Sequence, residues 1–324
     1  MRRFLLKVVI TDYNKMEFEE EKRVFESVGA KLEIAQCRTE DEVIEASLGA
    51  TGLINSEIPI TRKIIESLPE LKVIAKYSIG VDNIDVEAAT ENNVFVANVP
   101  DYCQEEVSNH ALALIMTLTR KIVSLNQSVK QGKWSFHEGV PLHRFSTQTV
   151  GLISYGSIAR NLSKKLTAIG FKVIAYDPYY QSANQETNVE LVSLEELMGR
   201  SDVISIHSPL IKETYHLVNK EVLELAKPGA IIINTGRGSV INEADLINAL
   251  KTGEISGAGL DVLEQEPMDV SNPLLSMENV ILTPHIAFYT EESIQELKRK
   301  TALNIVDVLQ GGKPRYLVNN LIKI

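Results

Sequence analysis

Three polar stretches follow short apolar runs in this chain, and together they hold an arginine, several carboxylates and a histidine. Asn234-Thr235-Gly236-Arg237-Gly238 follows Ala230–Ile233, Asp261 leads into Val262-Leu263-Glu264-Gln265-Glu266-Pro267, and Thr283-Pro284-His285 follows Val280–Leu282. An arginine presents a rigid fork that fits a carboxylate through two hydrogen bonds. Glycines on either side of Arg237 would let a ligand approach. An imidazole is the natural proton donor near neutral pH, and a carboxylate beside it fixes its orientation and raises its pKa. With a hydride donor, the set fits reduction of a 2-keto acid: Arg237 holds the carboxylate and polarises the carbonyl, and His285 supplies the proton. Each group alone has a plainer reading, as a turn arginine, a solvated acidic loop or a structural histidine.

The hydride donor is indicated by Val150-Gly151-Leu152-Ile153-Ser154-Tyr155-Gly156-Ser157-Ile158-Ala159. It reads as a G-x-G-x-x-G turn with Ser154 at the first glycine and Ala159 at the third. Gly156 keeps the middle position, where the backbone must approach a pyrophosphate. Free N–H groups at the start of the following helix favour phosphate. Asp177 lies twenty-one residues on, at the end of the next apolar run, and a carboxylate there suits the ribose hydroxyls of NAD and repels the 2′-phosphate of NADP. Pro178-Tyr179-Tyr180 offers no arginine for that phosphate. No G-K-[ST] follows, which argues against a nucleoside triphosphate.

Short β-branched runs alternate with longer amphipathic ones, as in βαβ units with a parallel sheet. Strands are expected at Leu5–Ile10, Lys31–Ala35, Gly52–Asn55, Val73–Lys76 and Val94–Asn98, with helices such as Glu17–Val28 and Thr61–Leu68 between them. After one long helix, Glu105–Val123, and an irregular stretch, Gln131–Gln148, six more strands are expected. They are Thr149–Ser154, Lys172–Asp177, Val203–His207, Ala230–Asn234, Ser256–Asp261 and Val280–Thr283. A charged helix, Glu291–Leu309, ends the series. The expected fold is α/β: two Rossmann-like, doubly wound parallel-sheet domains with a cleft between them. Residues 1–103 and 289–324 would form a substrate domain, and 104–288 the NAD domain.

The chain has 324 residues and a formal net charge of −10, which argues against nucleic acid or an anionic membrane as the main partner. No apolar run reaches the ~20 residues of a membrane span. The start, Met1–Lys7, reads as the approach to a buried strand rather than a secretion signal. Two cysteines, Cys37 and Cys103, make no disulfide framework, so a cytoplasmic setting is expected. His137 and His143 have no ligand partners at metal-binding spacing, and His110 and His216 read as ordinary helix or turn residues; no metal site is expected.

The motif series closely resembles the D-2-hydroxyacid dehydrogenase family over nearly the whole chain. It runs from Lys76-Tyr77-Ser78-Ile79-Gly80-Val81-Asp82-Asn83-Ile84-Asp85 to Thr283-Pro284-His285. Val99-Pro100-Asp101-Tyr102-Cys103, Glu105-Glu106-Val107 and Phe288-Tyr289-Thr290-Glu291 are most similar to bacterial relatives of the C-terminal-binding-protein branch, often grouped with phosphoglycerate dehydrogenases. The resemblance implies that Arg237 binds the substrate carboxylate and carbonyl, and that His285 is the acid/base. It implies that Glu266 pairs with His285, with Glu264 as second candidate. Ser78, Ile79 and Gly80 would grip the substrate carboxylate. Tyr155, Gly156, Ser157 and Ile158 would cradle the pyrophosphate of NAD, and Asp177 would hold its ribose. His207, Pro209 and Thr214 would line the adenine side, Thr235, Gly236 and Asp261 the nicotinamide side, and Val107 would also face NAD. It further implies a homodimer, with the helix at Glu105–Val123 as interface.

Several positions depart from the family pattern. Ser78 stands where glycine is common. Asn55 and Lys76 stand where phosphoglycerate dehydrogenases carry arginine, and an unpaired phosphate dianion is costly to bury. Phe288 stands where the co-repressor members place a tryptophan. Asn55, Lys76 and Phe288 are therefore the expected determinants of the substrate side chain, with glyoxylate, hydroxypyruvate and phosphohydroxypyruvate all sharing the recognised core. The contrasting reading is an NAD(H)-sensing binding protein of the C-terminal-binding-protein type.

Overall fold

Apolar runs without polar alternation make parallel strands buried on both faces. The computed structural model describes residues 6–13, 17–180 and 189–321. Contacts divide it into one unit of Met1–Cys103 with Thr290–Ile324 and another of Gln104–Tyr289. The second crossing therefore falls one residue later than expected, after Tyr289.

The first unit contains β1 (Lys7–Ile10), α1 (Glu19–Glu26), β2 (Lys31–Ile34), α2 (Glu40–Ser47), β3 (Gly52–Asn55), α3 (Arg62–Glu66), β4 (Val73–Lys76), α4 (Val86–Glu91) and β5 (Phe95–Ala97). Leu5, the first residue of the expected first strand, lies outside the described residues. The strands pair in parallel in the order β2-β1-β3-β4-β5. One face buries Val9, Leu53, Ile74 and Val96 with Val43, Ile60 and Ile64. Thr39 and Glu42 form a reciprocal cap that starts α2.

The second unit contains α5 (Gln104–Thr119), α6 (Ile122–Lys130), β6 (Thr149–Ile153), α7 (Ser157–Ala168), β7 (Lys172–Tyr176), β8 (Glu190–Leu191), α8 (Leu194–Arg200), β9 (Val203–Ile206), α9 (Lys220–Leu223), β10 (Ala230–Asn234), α10 (Glu243–Thr252), β11 (Ile255–Leu260) and β12 (Val280–Leu282). The final helix, α11 (Glu291–Leu309), belongs to the first unit and is started by a reciprocal Thr290–Ser293 cap.

The second sheet runs β12-β11-β10-β9-β6-β7-β8. Counted from β6, this is the dinucleotide-binding order 3-2-1-4-5-6 with one further strand. Among the described residues seven strands replace the expected six. The added one, β8, is two exposed residues, Glu190 and Leu191, too short and too polar to show in an apolar pattern. Val150 and Leu152 face one apolar layer, whereas Ile153 faces the other; Ile233 and Ile232 divide in the same way.

The helix expected over Glu105–Val123 is two helices. Thr119 turns its hydroxyl back onto the carbonyls of Ile115 and Met116, and Lys121 takes a left-handed conformation at φ 52° before α6 begins. Val107, Ala111, Leu114 and Ile115 of α5 are buried, whereas α6 buries none of its residues. Among the described residues no helix is long and apolar enough to cross a membrane.

Candidate active site

His285 follows β12 on a backbone held in the left-handed region, φ 51°, which a residue other than glycine adopts only when its surroundings impose it. Its N–H donates to the carbonyls of Asp261, at 2.8 Å, and Thr283, at 3.0 Å. The Asp261 carboxylate, buried just after β11, accepts from Ile286 N–H and Ala287 N–H at 2.9 Å each and from Thr283 Oγ1 at 2.6 Å. Asp261, expected at the nicotinamide side, is thus the group that holds the loop carrying His285.

His285 Nδ1 lies 2.6 Å from Glu266 Oε2, and the other Glu266 oxygen accepts Leu263 N–H at 2.9 Å. Glu264 does not compete, because its Oε1 lies 2.5 Å from His216 Nε2. The hydrogen bond donated to Glu266 raises the pKa of His285 above the ordinary histidine value; burial and nearby Arg237 work against the rise, and the Glu266 and Asp261 charges support it. Burial pushes Glu266 up, but His285, Leu263 N–H and Arg237 outweigh it and hold the carboxyl below its usual range. With Nδ1–H directed at a carboxylate, Nε2 is the nitrogen left for chemistry. Phe288 stands edge-on to His285, ring centres 6.3 Å apart.

Arg237 follows β10 and lies within electrostatic reach of both His285 and Glu266. Its Nη1 donates to Gly236 O at 2.9 Å. The neighbouring glycines serve the protein's own packing rather than ligand approach. A Cβ on Gly238 would collide with the Leu263 backbone, and one on Gly236 would meet Ser208 O at 3.0 Å. Gly238 therefore lets the arginine turn lie directly against the segment that carries Glu266.

Just after β6, Ser154 occupies φ 68°, the conformation that explains why glycine is usual there. Its Oγ lies 2.7 Å from Ser208 Oγ. Gly156 caps α7 with no side-chain acceptor, so the N–H groups of the first turn, including Ser157 and Ile158, have no partner within the helix. Tyr155 contributes differently: its ring is buried in the core, and its N–H donates to Asp177 Oδ2 at 2.9 Å. Asp177 Oδ1 accepts Tyr179 N–H, also at 2.9 Å, which fixes the carboxylate at the end of β7.

Two polar atoms near the carboxyl ends of β9 and β10 are buried with no hydrogen-bond partner, His207 Nδ1 and Thr235 Oγ1. Burial pushes the His207 pKa down to about 4, so its imidazole is neutral at physiological pH. Thr214 closes its own loop, donating to Pro209 O at 2.6 Å and accepting Ile211 N–H at 2.9 Å. Val107 is buried on α5. An uncapped helix start, a fixed carboxylate and two orphaned polar atoms at strand ends fit a dinucleotide.

In the first unit, Ser78 Oγ donates to Gly80 O at 2.5 Å and Asn98 Nδ2 to Ile79 O at 2.6 Å, so the loop is braced by side chains. Asn55 is fully buried. Its amide donates to Asp12 and Ile58 O, and its Oδ1 faces Lys76 Nζ at 3.4 Å and Asn83 Nδ2 at 3.3 Å. These bonds make Asn55 a brace for its loop. Lys76 is also buried. Among the described residues no group of three or more His, Cys, Asp or Glu side chains is placed to hold a metal.

Comparison with known proteins agrees with this architecture. Residues 112–287 match the model of the D-isomer specific 2-hydroxyacid dehydrogenase, NAD binding domain. A glyoxylate reductase from Korarchaeum cryptofilum is 37% identical over 265 residues, 81% of this chain and 80% of that protein. A D-3-phosphoglycerate dehydrogenase from Methanocaldococcus jannaschii is 38% identical over 97% of this chain, which spans 60% of that longer protein. The NAD-complexed crystal structure of a D-isomer specific 2-hydroxyacid dehydrogenase from Lactobacillus delbrueckii ssp. bulgaricus superposes with a TM-score of 0.80 at 26% identity, covering 97% of this chain and 100% of that one. The chain belongs to the D-isomer specific 2-hydroxyacid dehydrogenase family and is an NAD-binding oxidoreductase acting on 2-hydroxy acids.

Proposed function

We propose that this chain reduces a small 2-keto acid to the D-2-hydroxy acid through His285, Glu266 and Arg237. The observation that carries the reading is the 2.6 Å pairing of His285 Nδ1 with Glu266, with Arg237 acting electrostatically on both. NADH supplies hydride to the carbonyl carbon when bound. Arg237 holds the substrate carboxylate and stabilises the oxygen as it gains charge. Protonated His285 gives its Nε2 proton to that oxygen, and Glu266 stabilises the imidazolium before transfer. A raised His285 pKa keeps the acid form populated further toward neutral pH, so reduction falls off as pH rises past it.

For the cofactor, the first turn of α7 (Ser157, Ile158) is assigned to the pyrophosphate and Asp177 to the adenosine ribose, with His207 and Thr235 completing the contacts. The backbone of Ser78–Gly80 is assigned to the substrate carboxylate, and Lys76 and Phe288 to substrate choice. A cytosolic setting suits the two buried cysteines, neither in a disulfide.

The test is NADH oxidation against 2-keto acids of graded size and charge, glyoxylate, hydroxypyruvate and phosphohydroxypyruvate included. His285→Ala is expected to lower turnover by about 10²–10⁴-fold while NADH binding stays intact. Binding of NADH by the wild type without turnover of any keto acid would favour the NAD(H)-sensing reading instead.

A homodimer is also proposed, on a surface other than α5. Its apolar stripe is buried within the unit, whereas Ile122, Val129, Trp134 and Phe136 are 55%, 45%, 88% and 75% exposed. So large an apolar display on α6 and the segment after it is typical of an interface. Light scattering should give twice the 36.0 kDa chain mass, and the single mass would refute it.

A further inference from the structure

One histidine near the site has no part in the reaction as described. His110, on α5, places Nε2 2.9 Å from Thr283 Oγ1. The partners are 173 residues apart in the chain, and the contact joins α5 to the residue that opens the His285 loop. Thr283 Oγ1 lies in turn 2.6 Å from Asp261 Oδ1. Three donors converge on the two Asp261 oxygens, so the single hydroxyl proton of Thr283 is directed to Asp261. The Thr283 oxygen can then meet His110 only as an acceptor, and His110 must carry its proton on Nε2.

We propose that His110 is a positioning residue for the acid/base histidine: as an Nε2–H donor it orients the Thr283 hydroxyl toward Asp261 and thereby keeps Thr283–Ala287 in the geometry that brings His285 to Glu266. The proposal rests on the dehydrogenase reading and adds a residue to it. The left-handed backbone at His285 gives the device its purpose, because such a conformation persists only when neighbouring bonds over-determine it. Asp261 supplies those bonds through one carbonyl and both carboxylate oxygens, and the Thr283–His110 link fixes where one of its partners points. A glutamine at 110 can present an amide N–H where the imidazole Nε2–H stood, and an alanine cannot.

The experiment uses the full chain with His110→Ala and His110→Gln. His285 is titrated by imidazole NMR in the free protein, NADH oxidation kinetics are measured in parallel, and thermal melts check folding. The charged groups that face His285, namely Glu266, Arg237 and Asp261, are unchanged in both variants. In His110→Ala the His285 titration should move down toward the free-histidine value, and kcat should fall about tenfold with KM for NADH within about twofold. His110→Gln should restore both. An alanine variant with wild-type titration and wild-type kcat would overturn the proposal. So would equal losses in both variants that track a lowered melting temperature. A shifted titration in a chain whose wild type turns over no keto acid would support the positioning link and sink the dehydrogenase reading, so the two failures are distinct.

Discussion

In the first unit the strand order reverses between β1 and β3, and Asp12 stands in that crevice. Among the described residues its carboxylate accepts from Ser56, Glu57 and Ile58 N–H, from Asn55 Nδ2 and from Thr11 Oγ1. In the second unit the reversal falls between β6 and β9. There the chain presents an uncapped helix start, a Ser154–Ser208 hydroxyl pair, and the orphaned His207 Nδ1 and Thr235 Oγ1. A doubly wound sheet offers backbone donors at this point, where ligands bind. One unit meets its donors with its own anion; in the other, Asp177 takes Tyr155 N–H but the N–H groups of the first turn of α7 have no partner within the helix. Shared architecture therefore does not confer shared function: a single internal carboxylate makes the first crevice part of the scaffold.

The largest effect that would sharpen this contrast is on stability. Asp12→Ala removes the acceptor of the buried Ser56 N–H and Asn55 amide and of the partly buried Glu57 and Ile58 N–H groups, at about 1–3 kcal/mol for each one left unpaired, so a loss of about 3–5 kcal/mol is expected in urea unfolding. Asp177→Ala removes a carboxylate with two backbone partners near the surface; it should cost under about 1 kcal/mol and chiefly weaken NADH binding. Equal destabilisation by the two would erase the distinction between a carboxylate that holds its crevice together and one left near the surface.

Much of this was legible because buried parallel strands are continuous apolar runs. β3, β4, β10 and α11 lie at the expected residues, each bounded by a polar change, a cap or a turn. The dinucleotide turn and the Arg, Glu and His motifs were legible for the same reason: each sits at a strand end, where polarity changes abruptly. Pairings between segments were not. The family resemblance put Glu266 ahead of Glu264 as the partner of His285 without excluding the second, and only the contacts themselves, Glu266 on His285 and Glu264 on His216, separate them. The burial of Asn55 depends on Asp12, Asn83 and Lys76, which come from three other segments. The break in the long helix depends on one threonine hydroxyl and one left-handed lysine, neither of which disturbs the apolar spacing.

Acid should test the second crevice next. The His207 pKa is about 4 in the folded chain and near 6.5 when unfolded. Below 6.5 the unfolded chain takes up a proton that the folded chain refuses until about 4. Stability contributed by the neutral imidazole is thus fully present above 6.5 and is lost as pH falls toward 4, by ~3 kcal/mol in all. His207→Gln should flatten that part of the pH dependence of unfolding. An unchanged slope would mean that the ring is not held neutral by its burial.

The smallest effect bears on the turn itself, and it is one of order rather than size. Ser154 holds φ 68°, a conformation costing a side chain about 1 kcal/mol or more, and its hydroxyl bonds Ser208. Glycine at 154 would relieve the backbone, lose a hydrogen bond of about 1 kcal/mol and add freedom to the unfolded chain, so Ser154→Gly should stay within about 1 kcal/mol of wild type. Alanine would keep the unfavourable backbone and lose the same bond, for a loss of about 1–2 kcal/mol. At a residue with negative φ the usual ranking puts alanine above glycine. Finding glycine the milder substitution here would show that the turn, and not the serine, sets the backbone conformation after β6. Finding alanine milder would mean that the turn relaxes once the Ser208 bond is gone, and that the serine hydroxyl was what held it.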